Sequence, residues 1–199
     1  MDIKNVRVYG LEESIIASGY PMLTETPGED EFIGLTDMLP YARDLDTHIN
    51  RAKKLAQTPL GSGHYTFLKG VIVQYDLIAP EYFWRQFDRY HFHDYISSQS
   101  KMHRILEFDI DEICNKYVTQ NTIDELNYYI DLYNDFDDRS LYLPYLELRG
   151  GIQVPFTKQN LFQMIISNCP MGIELTARMT DNYLQLKSKY VQRRYHKLE

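Results

Sequence analysis

The spacing of apolar and polar residues changes several times along the chain, and each change predicts a different element. Alternation over about four to eight residues is typical of a half-buried strand, and recurrence every three or four residues is typical of an amphipathic helix. The strands so predicted are Val6–Tyr9, Tyr65–Leu77 and Leu161–Ser167. The longer helices so predicted are Asp44–Gln57, Pro80–His103 and Met171–Arg194.

Local signals predict where several elements end. Thr58–Pro59 stops the first helix, and the Gly61–Ser62–Gly63 turn that follows leads directly to His64. Pro80 and Pro170 mark changes from strand-like to helix-like spacing. Residues 21–34 combine proline, glycine and four acids, a composition typical of a solvated loop.

A further helix is predicted to begin at Thr122. Thr122 and Glu125 have the spacing of a capping box, and the segment 135–139 ends the helical pattern. Its predicted buried stripe consists of Ile123, Leu126, Ile130 and Tyr133.

Strands interleaved with long helices predict the fold class. We expect residues 1–199 to form a single α+β domain, with a central antiparallel sheet packed by long helices. The connections are too irregular for a doubly wound parallel sheet, and the sequence contains no glycine-rich phosphate loop of either common type.

Composition restricts the partners. The formal net charge of −7 disfavours a long duplex nucleic acid as a ligand, because phosphate binding needs a basic surface. No segment is apolar and long enough to span a membrane. Only two cysteines occur, which fits a reducing, cytoplasmic location. The 17 tyrosines supply flat amphipathic area for a core, an interface or a ring-stacking site.

The segment from Trp84 to Arg104 contains the most side chains that could bind a ligand. Arg85 and Arg89 are four residues apart, so on the predicted helix their guanidinium groups share a face and can hold a phosphate or carboxylate. The alternative is a solvated helix surface whose arginines pair with its own acids. Arg178, on the predicted last helix, similarly either pairs with Glu174 and Asp181 or is oriented by Asp181 toward a ligand.

Two other constellations favour structural roles. His91 and His93 are two residues apart, so on a helix they cannot grip one ion together, even with Asp94, His103 or His64 nearby; no metal site is expected. Cys169 precedes a predicted helix, whose dipole would lower a thiol pKa, but its apolar neighbours favour a buried structural cysteine.

The order of these motifs resembles that of the flavin-dependent thymidylate synthases, the ThyX family. Thr58–Pro59 and His64 stand where the family has a proline and a histidine, and Ser100 falls near the family serine. The segment Arg85–Gln86–Phe87–Asp88–Arg89–Tyr90–His91 stands where the family has Arg-Gln-Trp-x-Arg-His-Arg. Val154–Pro155, a strand ending at Asn168, and Arg178 follow in family order.

The resemblance implies roles for particular residues. Arg85, Arg89, Arg178 and Ser100 would bind the substrate nucleotide, dUMP in the family. His64, His91 and Arg104 would contact the flavin cofactor, FAD. No catalytic residue is assigned. An active member would methylate dUMP reductively with FAD, NADPH and methylene-tetrahydrofolate, in a homotetramer with shared sites.

The chain departs from the family at charged positions. His91 and Met102 stand where arginines are expected, Arg104 is displaced by about two residues, and Gln57 replaces the first histidine. A histidine near its ordinary pKa is mostly neutral at pH 7 and cannot replace a permanent charge. Two hypotheses follow: a divergent nucleotide- or flavin-binding member, or a non-catalytic interaction protein of phage or mobile-element type on the same fold. In the second, the acidic segments 21–34 and 109–138 and the tyrosines would contact a protein partner.

Overall fold

The computed structural model describes residues 1–25, 37, 42–90, 93–139 and 144–195. Its strands are β1 (Asp2–Tyr9), β2 (Ile72–Pro80), β3 (Asp94–Ser98), β4 (Tyr145–Leu148), β5 (Ile152–Pro155) and β6 (Glu174–Asn182). The helices of the first half are α1 (Leu11–Ala17), α2 (Ala42–Ala56), α3 (Glu81–Phe87) and α4 (Lys101–Arg104). Those of the second half are α5 (Ile110–Ile113), α6 (Gln120–Asn134), α7 (Phe136–Arg139), α8 (Lys158–Asn168) and α9 (Tyr183–Arg193).

The predicted fold class is confirmed: an α+β fold with a four-stranded antiparallel sheet, in the order β1-β2-β6-β3. A separate antiparallel hairpin pairs β4 with β5, with Tyr145 opposite Pro155 and Leu148 opposite Ile152. Within the described ranges, no helix has the length and apolarity needed to cross a bilayer. The part of the predicted loop from residue 26 to residue 34 lies outside the described residues.

Contacts divide the chain into two compact units. The first comprises Met1–Asp2, Leu77–Arg89 and Ser97–Ala177, and the second comprises Ile3–Asp76, Tyr90–Ile96 and Arg178–Glu199. That residues 1–199 form a single domain stays a prediction.

The first unit contains the main hydrophobic core. Helices α6 and α8 pack together there, and α6 buries Ile123, Leu126 and Ile130, as the helical spacing predicts. Tyr133 is only partly buried. Thr119 precedes this helix, and its hydroxyl pairs with that of Thr122 at 2.9 Å. The predicted capping box at Thr122 is therefore wrong.

The predicted strand Leu161–Ser167 is also wrong, because α8 covers it. Leu161 and Ile165 are fully buried four residues apart, which is the spacing of one helix face. The Thr157 side chain accepts a hydrogen bond from the backbone N–H of Asn160, at 3.2 Å, and so caps the helix start. A run of consecutive apolar residues fits either element, and the cap decides between them.

The predicted helix Met171–Arg194 begins too early. Ala177, Met179 and Asp181 are buried at every second position, so Glu174–Asn182 is a strand. A capping box between Asn182 and Gln185 then starts α9 at Tyr183. Tyr190, near the end of α9, is 65% exposed.

The predicted helix Pro80–His103 is three elements: α3, β3 and α4. Phe83, Trp84 and Phe87 pack against one another in α3, and the Trp84 indole N–H donates to the carbonyl of Ala79 at 3.0 Å. The helix ends at Phe87, with Asp88 as its cap residue.

The predicted strand Tyr65–Leu77 is correct only in its second half, and the strand continues to Pro80. Thr66–Gly70 is a 3-10 helix, and β2 then buries Val73, Tyr75 and Leu77 in alternation. Gly70 lies so close to Gly10 that a Cβ on Gly10 would approach the Gly70 carbonyl oxygen to 2.5 Å. Gly10 also has φ +67°, so glycine is required there on both grounds.

The second unit contains a buried charged group. Asp181 is 2% exposed, and its carboxylate accepts hydrogen bonds from Lys189 Nζ at 2.6 and 2.8 Å and from the Tyr75 hydroxyl at 2.6 Å. Burial raises the pKa of Tyr75, and the Asp181 carboxylate raises it further, so this hydroxyl remains a donor. Burial lowers the pKa of Lys189, against the opposing effect of Asp181.

We expect Asp181→Ala to lower the free energy of unfolding by about 3 kcal/mol, because it leaves the Lys189 ammonium buried without its counter-charge. Urea denaturation checks this, with Asp46→Ala on the exposed surface of α2 as a control for loss of one acid. The double variant Asp181→Leu with Lys189→Met should recover most of the loss. A loss no larger than that of Asp46→Ala would contradict the role of the buried carboxylate.

Candidate functional site

Arg85 and Arg89 lie on and just after α3. Arg85 is exposed in the last turn, opposite the packed aromatic side chains of this helix. Arg89 is also exposed but follows the cap residue Asp88, and its backbone N–H donates a hydrogen bond to the Gln86 carbonyl at 3.3 Å. The prediction that the two arginines share a helix face is therefore wrong. Both remain accessible cations separated by four positions.

Tyr90 is held by α9. The Arg193 side chain donates a hydrogen bond to the Tyr90 hydroxyl, and its guanidinium carbon lies 5.1 Å from the ring centroid. The next residue, His91, lies outside the described residues. Its predicted contact with a flavin stays a prediction.

Ser100 lies at a fixed junction between β3 and α4. Its carbonyl accepts the N–H groups of His103 and Arg104, at 3.2 and 3.1 Å. The preceding Gln99 is joined to Thr176 on β6 twice, from backbone N–H to carbonyl at 2.9 Å and from the Thr176 N–H to the Gln99 side chain at 2.8 Å. Sequence reasoning missed Gln99, because a glutamine gives no sign of pairing with a distant strand.

The side chains of Lys101 and Arg104, which follow Ser100, differ in how readily they could bind a ligand. Lys101 forms an ion pair with Glu81 at 2.8 Å, with both side chains mostly buried, so the Ser100 junction is tied to α3 as well. Arg104 pairs with Glu107 at 2.6 Å, but the two side chains are 60% and 57% exposed. Such an exposed pair contributes little free energy, so Arg104 can turn to an anionic ligand at small cost.

His64 is exposed on a turn that other groups hold in place. Lys187 on α9 donates to the carbonyls of Ala56 and Thr58, at 2.7 and 2.6 Å, and its Nζ lies 4.5 Å from the ring centroid of Tyr65. The Tyr65 hydroxyl in turn accepts the Gly61 N–H. Lys187 therefore caps the C-terminal end of α2.

Arg178 lies on β6, not on a helix, so the predicted pairs with Glu174 and Asp181 are wrong. Glu174 accepts from the amino terminus at 3.3 Å, and Asp181 is bound by Lys189. Arg178 Nη1 donates instead to the Asn5 carbonyl at 2.9 Å and to Asp76 at 3.1 Å. Strand alternation causes the change, because Arg178 and Asp181 point to opposite faces of the sheet.

Cys169 follows the end of α8 and does not begin a helix. Its thiol donates to the Ile165 carbonyl at 3.3 Å, and burial raises its pKa to about 11. The helix-dipole argument for a reactive thiol is therefore wrong. In the ranges that the structure describes, no three His, Cys, Asp or Glu side chains are grouped so that they could hold a metal ion.

The site residues are distributed over both units. Arg85, Arg89, Ser100 and Arg104 belong to the first unit, whereas His64 and Arg178 belong to the second. That Arg85, Arg89, Arg178 and Ser100 bind one substrate nucleotide stays a prediction.

Comparison with solved structures identifies the fold. The chain has the fold of the flavin-dependent thymidylate synthases, as the motif resemblance implies. It matches the structure of thymidylate synthase X (ThyX) from Helicobacter pylori with FAD and dUMP at a TM-score of 0.61 and 9% identity, over 100% of this chain and 86% of that one. A second ThyX structure from H. pylori, complexed with FAD and dUMP, matches at a TM-score of 0.61 and 7% identity, over 100% and 87%.

No protein-family profile and no curated protein sequence matches the chain. At this identity the two solved structures establish a common fold, and a common fold does not fix a common activity.

The Lys187 contacts give a prediction about the His64 turn. Lys187→Met removes two charge-assisted hydrogen bonds, each with a net value of about 1.5–3 kcal/mol, so amides of residues 58–65 should exchange at least about tenfold faster. Lys187→Arg should restore part of the protection, and Lys54→Met on the exposed face of α2 serves as the matched control. Hydrogen exchange read by mass spectrometry checks this. Equal acceleration in α6 would show global destabilisation instead.

Proposed function

We propose that the chain is a divergent ThyX-like protein that binds a pyrimidine nucleotide and a flavin nucleotide. The observation that supports this most strongly is the combination of the ThyX fold over the full chain with exposed Arg85 and Arg89 in family order. Neither fold nor motif alone would suffice, because the fold is compatible with other functions and the motif is degenerate.

The exposed side chains of the candidate site match part of what an anionic dinucleotide such as FAD requires. Arg85, Arg89 and Arg104 are exposed and permanently charged, as phosphate binding requires, and His64 is exposed on a fixed turn. When bound, FAD would supply the hydride chemistry that no amino-acid side chain provides. The protein's share would be to position the nucleotide by Arg85, Arg89 and Ser100 and to neutralise its phosphates.

The departures from the family motif predict a low rate of dUMP methylation. His91 and Met102 occupy positions where the resemblance expects arginines, so at pH 7 two permanent charges are lacking. Each missing charge-assisted bond would weaken binding by about 1.5–3 kcal/mol. Reductive methylation of dUMP with NADPH and methylene-tetrahydrofolate is therefore proposed only as a weak activity.

A second candidate function is a non-catalytic interaction protein on the same fold. Tyr117 and Tyr128 are 72% and 54% exposed within the acidic segment 109–138, where large aromatic side chains can anchor a protein partner. A colourless purified protein that carries a bound macromolecule would favour this function. A yellow protein with a flavin spectrum would favour the first.

Binding measurements test the first proposal. We expect wild type to bind FAD and dUMP, and Arg85→Gln and Arg89→Gln each to weaken at least one of them by about tenfold or more. Arg149→Gln, an exposed arginine in the β4–β5 turn, is the matched control. Isothermal titration calorimetry gives the affinities. Failure of wild type to bind either ligand would refute the proposal.

Activity gives a separate prediction. With FAD, NADPH and methylene-tetrahydrofolate added, we expect little or no conversion of dUMP to dTMP, because His91 and Met102 supply no permanent charge. His91→Arg should tighten flavin or nucleotide binding. Product formation measured by mass spectrometry with labelled dUMP checks the activity. Rapid turnover by wild type would contradict the limit, and no gain from His91→Arg would support the interaction function.

A further inference from the structure

The C-terminal end of α1 is held by one arginine of α2, within the second unit. Arg51 Nη2 donates to the carbonyls of Ile15 and Ile16, at 3.2 and 3.4 Å. Arg51 Nε donates to the Ser18 hydroxyl at 3.1 Å, and this hydroxyl donates to the Ile15 carbonyl at 2.6 Å. The last carbonyls of a helix have no partner within it, so Arg51 supplies both donors and positive charge where α1 ends.

The Arg51 guanidinium also fits closely against the chain that follows α1. A Cβ on Gly19 would lie 2.7 Å from Arg51 Cζ. Gly19 has φ −91° and ψ −14°, a conformation that alanine also adopts, so glycine is needed there for space and not for backbone freedom. Alanine at this position would therefore displace the guanidinium without straining the backbone.

His48 orients the same guanidinium. It lies three residues before Arg51 in α2, and its Nδ1 is 2.7 Å from Arg51 Nη2. A guanidinium only donates hydrogen bonds, so His48 Nδ1 accepts this one and carries no proton. The contact therefore requires a neutral imidazole.

Protonation of His48 would replace this hydrogen bond by repulsion between two cations. Burial, followed by the charge of Arg51, lowers the pKa of His48, against the opposing effect of Asp44. Among the described residues, Asp44 and Arg51 are the charged groups that act on the ring, and both belong to α2. From α1, backbone carbonyls face the guanidinium, whereas the acids Glu12 and Glu13 lie in the first turn, at the other end of the helix.

The direction of the pH effect follows from this lowered pKa. A histidine that is free of the contact has a pKa near 6.5, whereas in the folded contact the neutral form is favoured. The contact is therefore fully stable above about pH 6.5, and its stability falls as the pH drops from there toward the lower folded-state value.

We propose that His48 and Arg51 form an acid-sensitive latch, in which protonation of His48 withdraws Arg51 from the last turn of α1 and loosens residues 11–23. The inference concerns the second unit alone and does not depend on the proposed ligands. Helix α1 also packs against the 3-10 helix Thr66–Gly70, which begins two residues after His64. The latch thus acts on a helix that adjoins the His64 turn.

Hydrogen exchange of the full chain, read by mass spectrometry at about pH 7.5 and about pH 5.0, tests the latch. Rates are divided by those of unstructured peptides of the same sequence, which removes the intrinsic effect of pH on exchange. We expect the protection of residues 11–23 to fall about tenfold at the lower pH, because His48 charges there once the contact opens. Helix α6, in the first unit, should keep its protection.

Two histidine variants separate the latch from a general effect of acid. His48→Asn retains a side-chain acceptor within reach of Arg51 but cannot be protonated, so the protection of residues 11–23 should no longer depend on pH. His103→Asn removes an exposed histidine of α4 and should keep the full wild-type response.

A third variant decides the case in which His48→Asn is poorly protected at both pH values. Gly19→Ala displaces the guanidinium and leaves His48 in place, so residues 11–23 should exchange fast at both pH values, with most of the response lost. A full wild-type response in Gly19→Ala or in His48→Asn would overturn the latch. Equal protection of wild type at both pH values, or an equal loss in α6, would also overturn it.

Discussion

The contact between the Asp181 carboxylate and the Lys189 ammonium fixes α9 against the end of β6. Asp181 has no exposed side-chain surface and Lys189 only 13%, so breaking the contact leaves a charge in a poorly solvated place. Two other basic side chains of α9 then reach separate segments: Lys187 caps α2 beside the His64 turn, and Arg193 holds Tyr90. Three basic side chains of α9 thus hold other segments of the second unit in place.

The positions of the charged residues and the local conformation that carries them had different outcomes. Arg85 and Arg89 are accessible cations, as the sequence indicates, although the helix expected to align them ends at Phe87. Phe83, Trp84 and Phe87 pack together within α3, and Asp88 caps the helix, so Arg89 lies outside it. A charge pattern can therefore survive while the element that carries it changes.

The successes and failures follow from what local spacing can encode. Ile123, Leu126 and Ile130 repeat at helical spacing in a long segment, and α6 buries them as predicted. In β6, the buried positions are Ala177, Met179 and Asp181. Because one of them is an aspartate, the alternation of apolar residues is too short to predict a strand. Only its distant partners Lys189 and Tyr75 explain its burial. The same holds for Arg178, since Asp76 lies 102 positions away along the chain.

Trp84 is the one tryptophan of the chain, and its position has a practical consequence. Its indole lies one residue before Arg85 and is held by the carbonyl of Ala79, where β2 passes into α3. Because the chain has one tryptophan, its tryptophan fluorescence originates from this junction alone. The molecule thus has a built-in optical reporter at the start of its arginine motif, with no competing tryptophan signal.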